Sequence, residues 1–164
     1  MTDLSSSAAF ESHDHHRCVQ STMTRAEQVV AERGLRLTPV RRRTLQILLE
    51  RHGAMGAYDV LERLAADGFG HQPPVAYRAL DFLVDNGLAH RIRRLNAFTA
   101  CAHPGEDHHA AFLICKACHL VAEIPADRLR DALETSAEAT GFSVERVNIE
   151  ALGLCPACGN EPGL

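Results

Sequence analysis

Two Cys-x-x-Cys pairs, Cys115-Lys116-Ala117-Cys118 and Cys155-Pro156-Ala157-Cys158, constrain this chain more than any other feature. Each pair presents two thiolates on one tight turn, and two such turns close a tetrahedral zinc site with Zn–S bonds of about 2.3 Å. Four thiolates leave no open coordination position, so the spacing predicts a structural ion and not a catalytic one. A redox dithiol of the thioredoxin kind needs one pair beside a βαβ unit, not two pairs bracketing a segment. Cys115, Cys118, Cys155 and Cys158 are therefore expected to hold structural zinc.

The rest of the chain agrees with an intracellular metal protein. No run of 18 apolar residues is present to span a membrane, and the start, MTDLSSSAAFESHDHH, lacks the basic and apolar regions of a secretory signal. A cytoplasmic location is expected, where disulfides are rare and paired cysteines read as ligands. Residues 1–23 are rich in Ser, Ala and His without an apolar period and read as a flexible polar tail. His13-Asp14-His15-His16 with Cys18 could grip a metal, but the polar-tail reading is preferred.

Residues 24–99 carry four short helical patterns followed by a hairpin. Ala26, Val29 and Val30 share one face of the first, which stops at Gly34. Thr38-Pro39 opens the second, with Thr as cap and Pro where a missing N–H costs nothing. Val40, Leu45, Leu48 and Leu49 form its stripe. The third runs from about Ala57 to Asp67, burying Val60, Leu61 and Leu64. The fourth follows Pro73-Pro74 and ends at Gly87, with Ala76, Leu80, Leu83 and Val84 inward and Tyr77, Arg78 and Asp81 outward. After Gly87 the period becomes two, and residues 88–99 read as a β-hairpin bearing Arg91, Arg93 and Arg94.

Helices followed by a basic hairpin make a winged helix-turn-helix, whose fourth helix enters the DNA major groove. Tyr77 and Arg78 then lie in its first turn, where an Arg can bond guanine in bidentate fashion. Arg36, Arg41, Arg42, Arg43, Arg91, Arg93 and Arg94 are candidate phosphate contacts. The net charge of −4 hides an asymmetry that fits this reading. Residues 24–99 hold 12 basic and 8 acidic side chains, whereas residues 100–164 hold 4 and 10.

Residues 100–164 read as strand, strand, helix, strand. The strands are Ala110–Cys115, Leu120–Ile124 and Ser143–Leu152. The helix spans Pro125 to Thr140, with Leu129, Ala132, Leu133 and Ala137 inward. So small a unit needs zinc or a partner subunit to complete its core. A second, looser set of donors lies nearby: His90, Cys101, His103, Asp107, His108, His109, His119 and Glu123. A mixed S/N/O zinc site suits these side chains, but spacing alone does not select four of the eight.

Leu37-Thr38-Pro39-Val40-Arg41, Ala57-Tyr58-Asp59, Pro73-Pro74-Val75-Ala76-Tyr77-Arg78-Ala79-Leu80-Asp81-Phe82-Leu83 and the two cysteine pairs, in this order and spacing, resemble the ferric uptake regulator (Fur) family of bacterial metalloregulators. The resemblance covers about residues 24 to 159. Ala57-Tyr58, Tyr77 to Leu83 and Asn148 to Cys155 are most similar to its zinc-uptake-regulator branch. The resemblance implies an α+β protein in which residues 24–99 form an N-terminal winged helix-turn-helix domain and residues 100–164 a C-terminal α/β dimerisation domain with a Cys₄ zinc site. It carries regulatory zinc onto His90, Cys101, His108 and Glu123, giving one structural and one regulatory ion per subunit.

The implied function is a homodimeric, zinc-responsive repressor of zinc-uptake genes, with zinc as co-repressor and a palindromic double-stranded DNA operator as partner. Tyr58, Tyr77, Arg78, Arg36, Arg41 and Arg91 are the candidate DNA contacts. Two departures stand out. Val75-Ala76 replaces the family's Thr-Val, and Ala110, Ala111 and Phe112 occupy the His/Asp-rich run of iron-type members, so a third metal site of that kind is not expected.

The nearest alternative is a sensor in the same family for iron, manganese or peroxide. A zinc deaminase needs His-x-Glu with a downstream Pro-Cys-x-x-Cys, and neither occurs; no phosphate-cradling glycine motif or nucleophile elbow is present either. Neither enzymatic activity, a small-molecule substrate nor a membrane partner is expected. A zinc ribbon that binds protein in place of DNA lacks the winged-helix pattern.

Overall fold

The computed structural model describes residues 9–160. Its elements are α1 (His15–Glu32), α2 (Pro39–Leu49), β1 (Met55–Gly56), α3 (Ala57–Ala66), α4 (Pro73–Asp85), β2 (Ala89–Ile92), β3 (Ala97–Ala100), β4 (Ala110–Cys115), β5 (Val121–Pro125), α5 (Asp127–Glu138), β6 (Ile149–Gly153) and α6 (Pro156–Gly159). No described helix is long and apolar enough to cross a membrane.

The first helix departs from expectation. Within the expected tail, residues 15–23 belong to α1, and residues 1–8 lie outside the described part. The cause is local. Asp14 sits in an extended conformation and accepts a hydrogen bond from Arg17 N–H, capping the helix. Val19 and Met23 extend the stripe of Ala26 and Val30 by 4- and 3-residue steps and pack on the same core.

That core holds the helix-turn-helix together. Leu45, Ile47 and Leu48 of α2, Val60 and Leu64 of α3, and Leu80 and Leu83 of α4 are almost completely buried in one cluster. Pro39 occupies a first turn, as the sequence suggests, and α4 begins at Pro73 rather than after Pro74, since a proline at the first position lacks only an N–H that would go unbonded there. Thr38 takes the N-cap position of α2, but its hydroxyl makes no cap bond. Gly87 ends α4 at φ 69°, and Leu88 N–H returns to the Leu83 carbonyl, the closure that only a left-handed residue permits cheaply.

The hairpin pairs β2 with β3 in antiparallel register, His90 opposite Thr99 and Arg91 opposite Phe98. A short strand that the sequence does not announce, β1, adds to the other side of β3 and gives a three-stranded wing.

The second sheet has the order β5-β4-β6, with β4–β5 antiparallel and β4–β6 parallel. Two expectations change here. The last strand is shorter than Ser143–Leu152, because regular pairing with β4 begins only at Ile149. The stripe of α5 is not inward: no residue of α5 is buried, and Leu129 and Leu133 are 49% and 45% exposed. Among the described residues, none buries that face.

The two halves touch. Ile92 of the wing is buried with Phe112, Ile114 and Val121 of the second sheet. The loop after α2 reaches the same sheet, where Val121 N–H donates to the His52 carbonyl and Gly53 bridges Leu120.

Candidate metal centres and nucleic-acid interface

The turn after β4 and the turn opening α6 bring Cys115, Cys118, Cys155 and Cys158 together, their sulfurs within 4.8 Å of one another. The parallel pairing of Cys115 with Gly153 positions the two turns. Cys118 Sγ lies 3.7 Å from Cys155 Sγ; a tetrahedron with 2.3 Å bonds has edges of about 3.8 Å. Backbone N–H groups of Cys118 and Cys155 point at Cys115 Sγ and pull its thiol down to about 6. Hydrogen bonds with Cys155 and Cys118 push Cys158 up to about 12. Four thiols this close cannot all ionise without a cation, and the donor set fits zinc.

His90, Cys101, His108 and Glu123 form a second group, again with donor atoms within 4.8 Å. His90 comes from β2. Cys101 follows β3 and is fixed by its N–H bond to the Leu88 carbonyl. His108 lies on the loop before β4, and Glu123 on β5. Cys101 is wholly buried and Glu123 is 7% exposed. His108 Nε2 is 2.6 Å from Glu123 Oε1, and Cys101 Sγ is 3.7 Å from His108 Nε2. Ala102 N–H donates to Glu123 Oε2.

Electrostatics explain why this group suits a cation. Burial alone would raise the Glu123 carboxyl, but the neighbouring His90 ring, with the Ala102 N–H and His108, holds it at about 2. Burial and then the Glu123 charge push the Cys101 thiol up to about 12, so a metal binding there must displace its proton. His108 Nδ1–H donates to the Glu106 carbonyl, which turns the Nε2 lone pair inward. His90 Nε2 is buried without a hydrogen-bond partner, although it stands 3.3 Å from Glu123 Oε2. A buried orphan nitrogen beside a thiol, an imidazole and a carboxylate fits a bound zinc ion.

Of the remaining candidates, His109 is held by Asp127 at 3.2 Å and by Arg130, facing α5. The His103 ring stands edge-on to His108 at 5.9 Å and lines the adjacent cavity. Asp107 and His119 are exposed and belong to neither group.

The expected DNA contacts lie on the winged half. Tyr58 and Tyr77 are 68% and 40% exposed, and their rings meet edge-on at 6.5 Å. Arg78 is exposed beside them and pairs with neither Asp81 nor Asp85. Arg36 is exposed on the approach to α2, where its carbonyl accepts from Arg41. The Arg41 guanidinium also lies 3.6 Å from the centre of the Phe82 ring. Arg91 donates to Asn96 in the wing turn. Two candidates are occupied internally: Arg42 pairs with Glu27, and Arg43 with Asp67 and Glu50.

Sequence reasoning missed Glu150 as a positioning residue. Its two oxygens accept the backbone N–H groups of Arg93 and Arg94 at 2.7 and 2.9 Å, tying the wing turn to β6. No signal in the sequence marks this side chain, because its partners are backbone groups, which leave no trace there.

Comparison with known proteins agrees with this geometry. The ferric uptake regulator family model matches residues 32–152. The zinc uptake regulation protein of Escherichia coli (strain K12) is 37% identical over 140 residues, 85% of this chain and 82% of that protein. The peroxide operon regulator of Bacillus subtilis (strain 168) is 24% identical over 136 residues, 83% of this chain and 92% of that protein. A zinc uptake regulator complexed with zinc and DNA superposes with a TM-score of 0.80 at 37% identity, covering 86% of this chain and 95% of that one. Holo XcZur superposes at 0.76 and apo XcZur at 0.51, both at 37% identity, covering 86% and 87% of this chain and 99% of each. With the family model spanning most of its length, the chain belongs to the ferric uptake regulator family.

Proposed function

We propose that this protein is a zinc-responsive DNA-binding repressor of zinc-uptake genes that works as a homodimer, with zinc as co-repressor. One observation carries the reading: the donors His90, Cys101, His108 and Glu123 come from the winged half, the junction and the second sheet, yet converge on one point. The other donor set, Cys115, Cys118, Cys155 and Cys158, has no open position and is read as structural. That gives one structural and one regulatory zinc per subunit. Bound zinc supplies a positive charge that compensates the buried Glu123 carboxylate and a Cys101 thiolate together.

The chain's own residues do the rest. Glu123, fixed by Ala102 N–H, stands 3.3 Å from His90 of β2, so a zinc ion shared by the two would set the wing on the second sheet. Glu150 repeats the tie at the wing turn. In a dimer, fixing each winged unit on its second sheet fixes the separation of two α4 helices, and only a fixed separation fits two half-sites of a palindromic operator. Tyr58, Tyr77 and Arg78 then face the major groove, while Arg36, Arg41 and Arg91 lie toward phosphates. Likeness to the holo relative over the apo one supports a zinc-loaded arrangement of the halves. The relative complexed with zinc and DNA supports the ligand pair.

A mobility-shift titration on a zinc-transporter promoter tests the reading. Operator binding should appear as buffered free Zn²⁺ rises, and not with Fe²⁺ or Mn²⁺. Binding driven by iron or manganese, or abolished by peroxide, overturns the choice of signal and moves the protein toward the peroxide-regulator relatives. No sequence-specific binding under any metal overturns the repressor itself.

A further inference from the structure

A third donor cluster lies on the first helix, outside both groups above. His13, His15, Cys18 and His52 offer four ligand atoms within 4.8 Å of one another. The first three flank the start of α1. Asp14 caps the helix, His13 precedes the cap, and His15 and Cys18 stand one turn apart on the same face. His52 arrives from the loop after α2, the loop whose His52 carbonyl is bonded to Val121 of the second sheet.

The ring nitrogens are arranged as metal ligands are. A ligating histidine gives its other N–H to a carbonyl or carboxylate, which fixes the tautomer. His15 Nε2–H donates to the Glu50 carbonyl at 3.0 Å, leaving Nδ1 buried without any partner. His13 Nδ1–H donates to the Glu11 carbonyl at 3.1 Å, leaving its Nε2 lone pair turned toward His52 Nε2, 3.0 Å away. Among the described residues only two buried side-chain nitrogen or oxygen atoms lack a hydrogen-bond partner, His15 Nδ1 and His90 Nε2. Each sits in a histidine-cysteine cluster. Three imidazoles gather here with ring centres 4.9 to 5.7 Å apart and no carboxylate among the four donors. His13 and His52 can satisfy each other by a hydrogen bond, but His15 Nδ1 has no such partner, and a cation shared with Cys18 would supply one.

We propose that His13, His15, Cys18 and His52 form a third zinc site, which pins the start of α1 to the loop after α2, where that loop is bonded to the second sheet. Three imidazoles and one thiolate suit Zn²⁺ better than iron or manganese. Cys18, His52, Cys101 and Glu123 all line one cavity of about 270 Å³, so this site and the regulatory one border a single space. The site differs in place from the His/Asp-rich run of iron-type members, whose positions hold Ala110, Ala111 and Phe112.

Zinc content of the full-length protein, dialysed against buffered free Zn²⁺, tests the assignment. Cys18→Ser and His15→Ala should each hold one ion fewer per chain than the wild type, while His16→Ala, outside the cluster, should match the wild type. The reading is the difference of one, so it stands whatever the total in the other two sites. A second measurement uses the unaltered protein: alkylation of Cys18, followed by peptide mass spectrometry, should slow at least tenfold on adding Zn²⁺. Equal zinc content in the variants and the wild type, or equal labelling of Cys18 with and without zinc, overturns the proposal.

Discussion

His90 Nε2 stands 3.3 Å from Glu123 Oε2, one residue on the wing and the other on the second sheet. Without a cation this is a weak link, because the nitrogen makes no aligned hydrogen bond. The contact therefore reports a geometry waiting for a shared ligand.

His90→Ala and Cys101→Ser should each weaken zinc-dependent operator binding by about 10–100-fold, the loss typical when a metal site's donors or their supports are removed. Neither change should alter helical content, since Cys101→Ser is nearly isosteric and His90 is only partly buried. Mobility shifts at fixed free Zn²⁺ measure the effect. Wild-type affinity in both variants, with the same zinc dependence, removes this cluster from regulation.

Stripping the Cys₄ ion with a strong chelator should loosen the second half and spare the first. Structural zinc of this kind contributes on the order of 10–16 kcal/mol of coupled folding energy. The described residues of this half add a small cluster of Phe112, Ile114 and Val121 with the wing's Ile92, a few buried alanines, and an α5 with nothing buried. The winged half keeps its own core of Leu45, Ile47, Leu64, Leu80 and Leu83. Hydrogen exchange by peptide should show protection collapsing over residues 110–159 while α2 to α4 remain protected. Unchanged protection over 110–159 would mean the four cysteines do not carry the fold.

The sequence disclosed what depends on local period and ligand spacing. Four helices, the hairpin and the cysteine pairs are legible because each needs only residues close in the chain, such as Pro39 at a helix start or Gly87 at a helix end. The start of α1 was not legible, because its stripe there is two residues, Val19 and Met23, in a polar context. Nor could the chain say that His52 meets His13 and His15, since 37 residues separate His15 from His52 and only the packing of α1 against the loop joins them. The inward reading of Leu129 and Leu133 failed for a different reason: amphipathicity shows that a face wants cover, not that the same chain supplies it.

That uncovered face carries the next prediction. Leu129 and Leu133 of α5 and Phe142 just after it are large apolar side chains left exposed, as are Leu152 and Leu154 at the end of β6. In the proposed homodimer the α5 face is buried against a second copy. Leu133→Glu should convert the dimer to monomer at micromolar concentration by sedimentation equilibrium, with zinc content unchanged at the cysteine site. A Leu133→Glu protein that remains dimeric places the interface elsewhere.

The arginines should separate into two classes when operator binding is measured against salt. Each phosphate neutralised contributes about 0.9 to the slope of log affinity against log salt. Arg42 and Arg43 are held by Glu27, Asp67 and Glu50 within the chain, so breaking those pairs offsets any phosphate contact. Arg42→Ala should leave the slope nearly unchanged. Arg91 is exposed on the wing and bonded only to the neutral Asn96 amide, so Arg91→Ala should lower the slope by about one unit. Arg78 stands apart from both, exposed in the first turns of α4 beside Tyr77 and Tyr58. If it reads a base, Arg78→Ala should cost about 1–3 kcal/mol on the operator and little on random DNA, with the slope preserved. An equal loss on both DNAs would make Arg78 a phosphate contact, and the specificity would then rest on other residues of the α4 face.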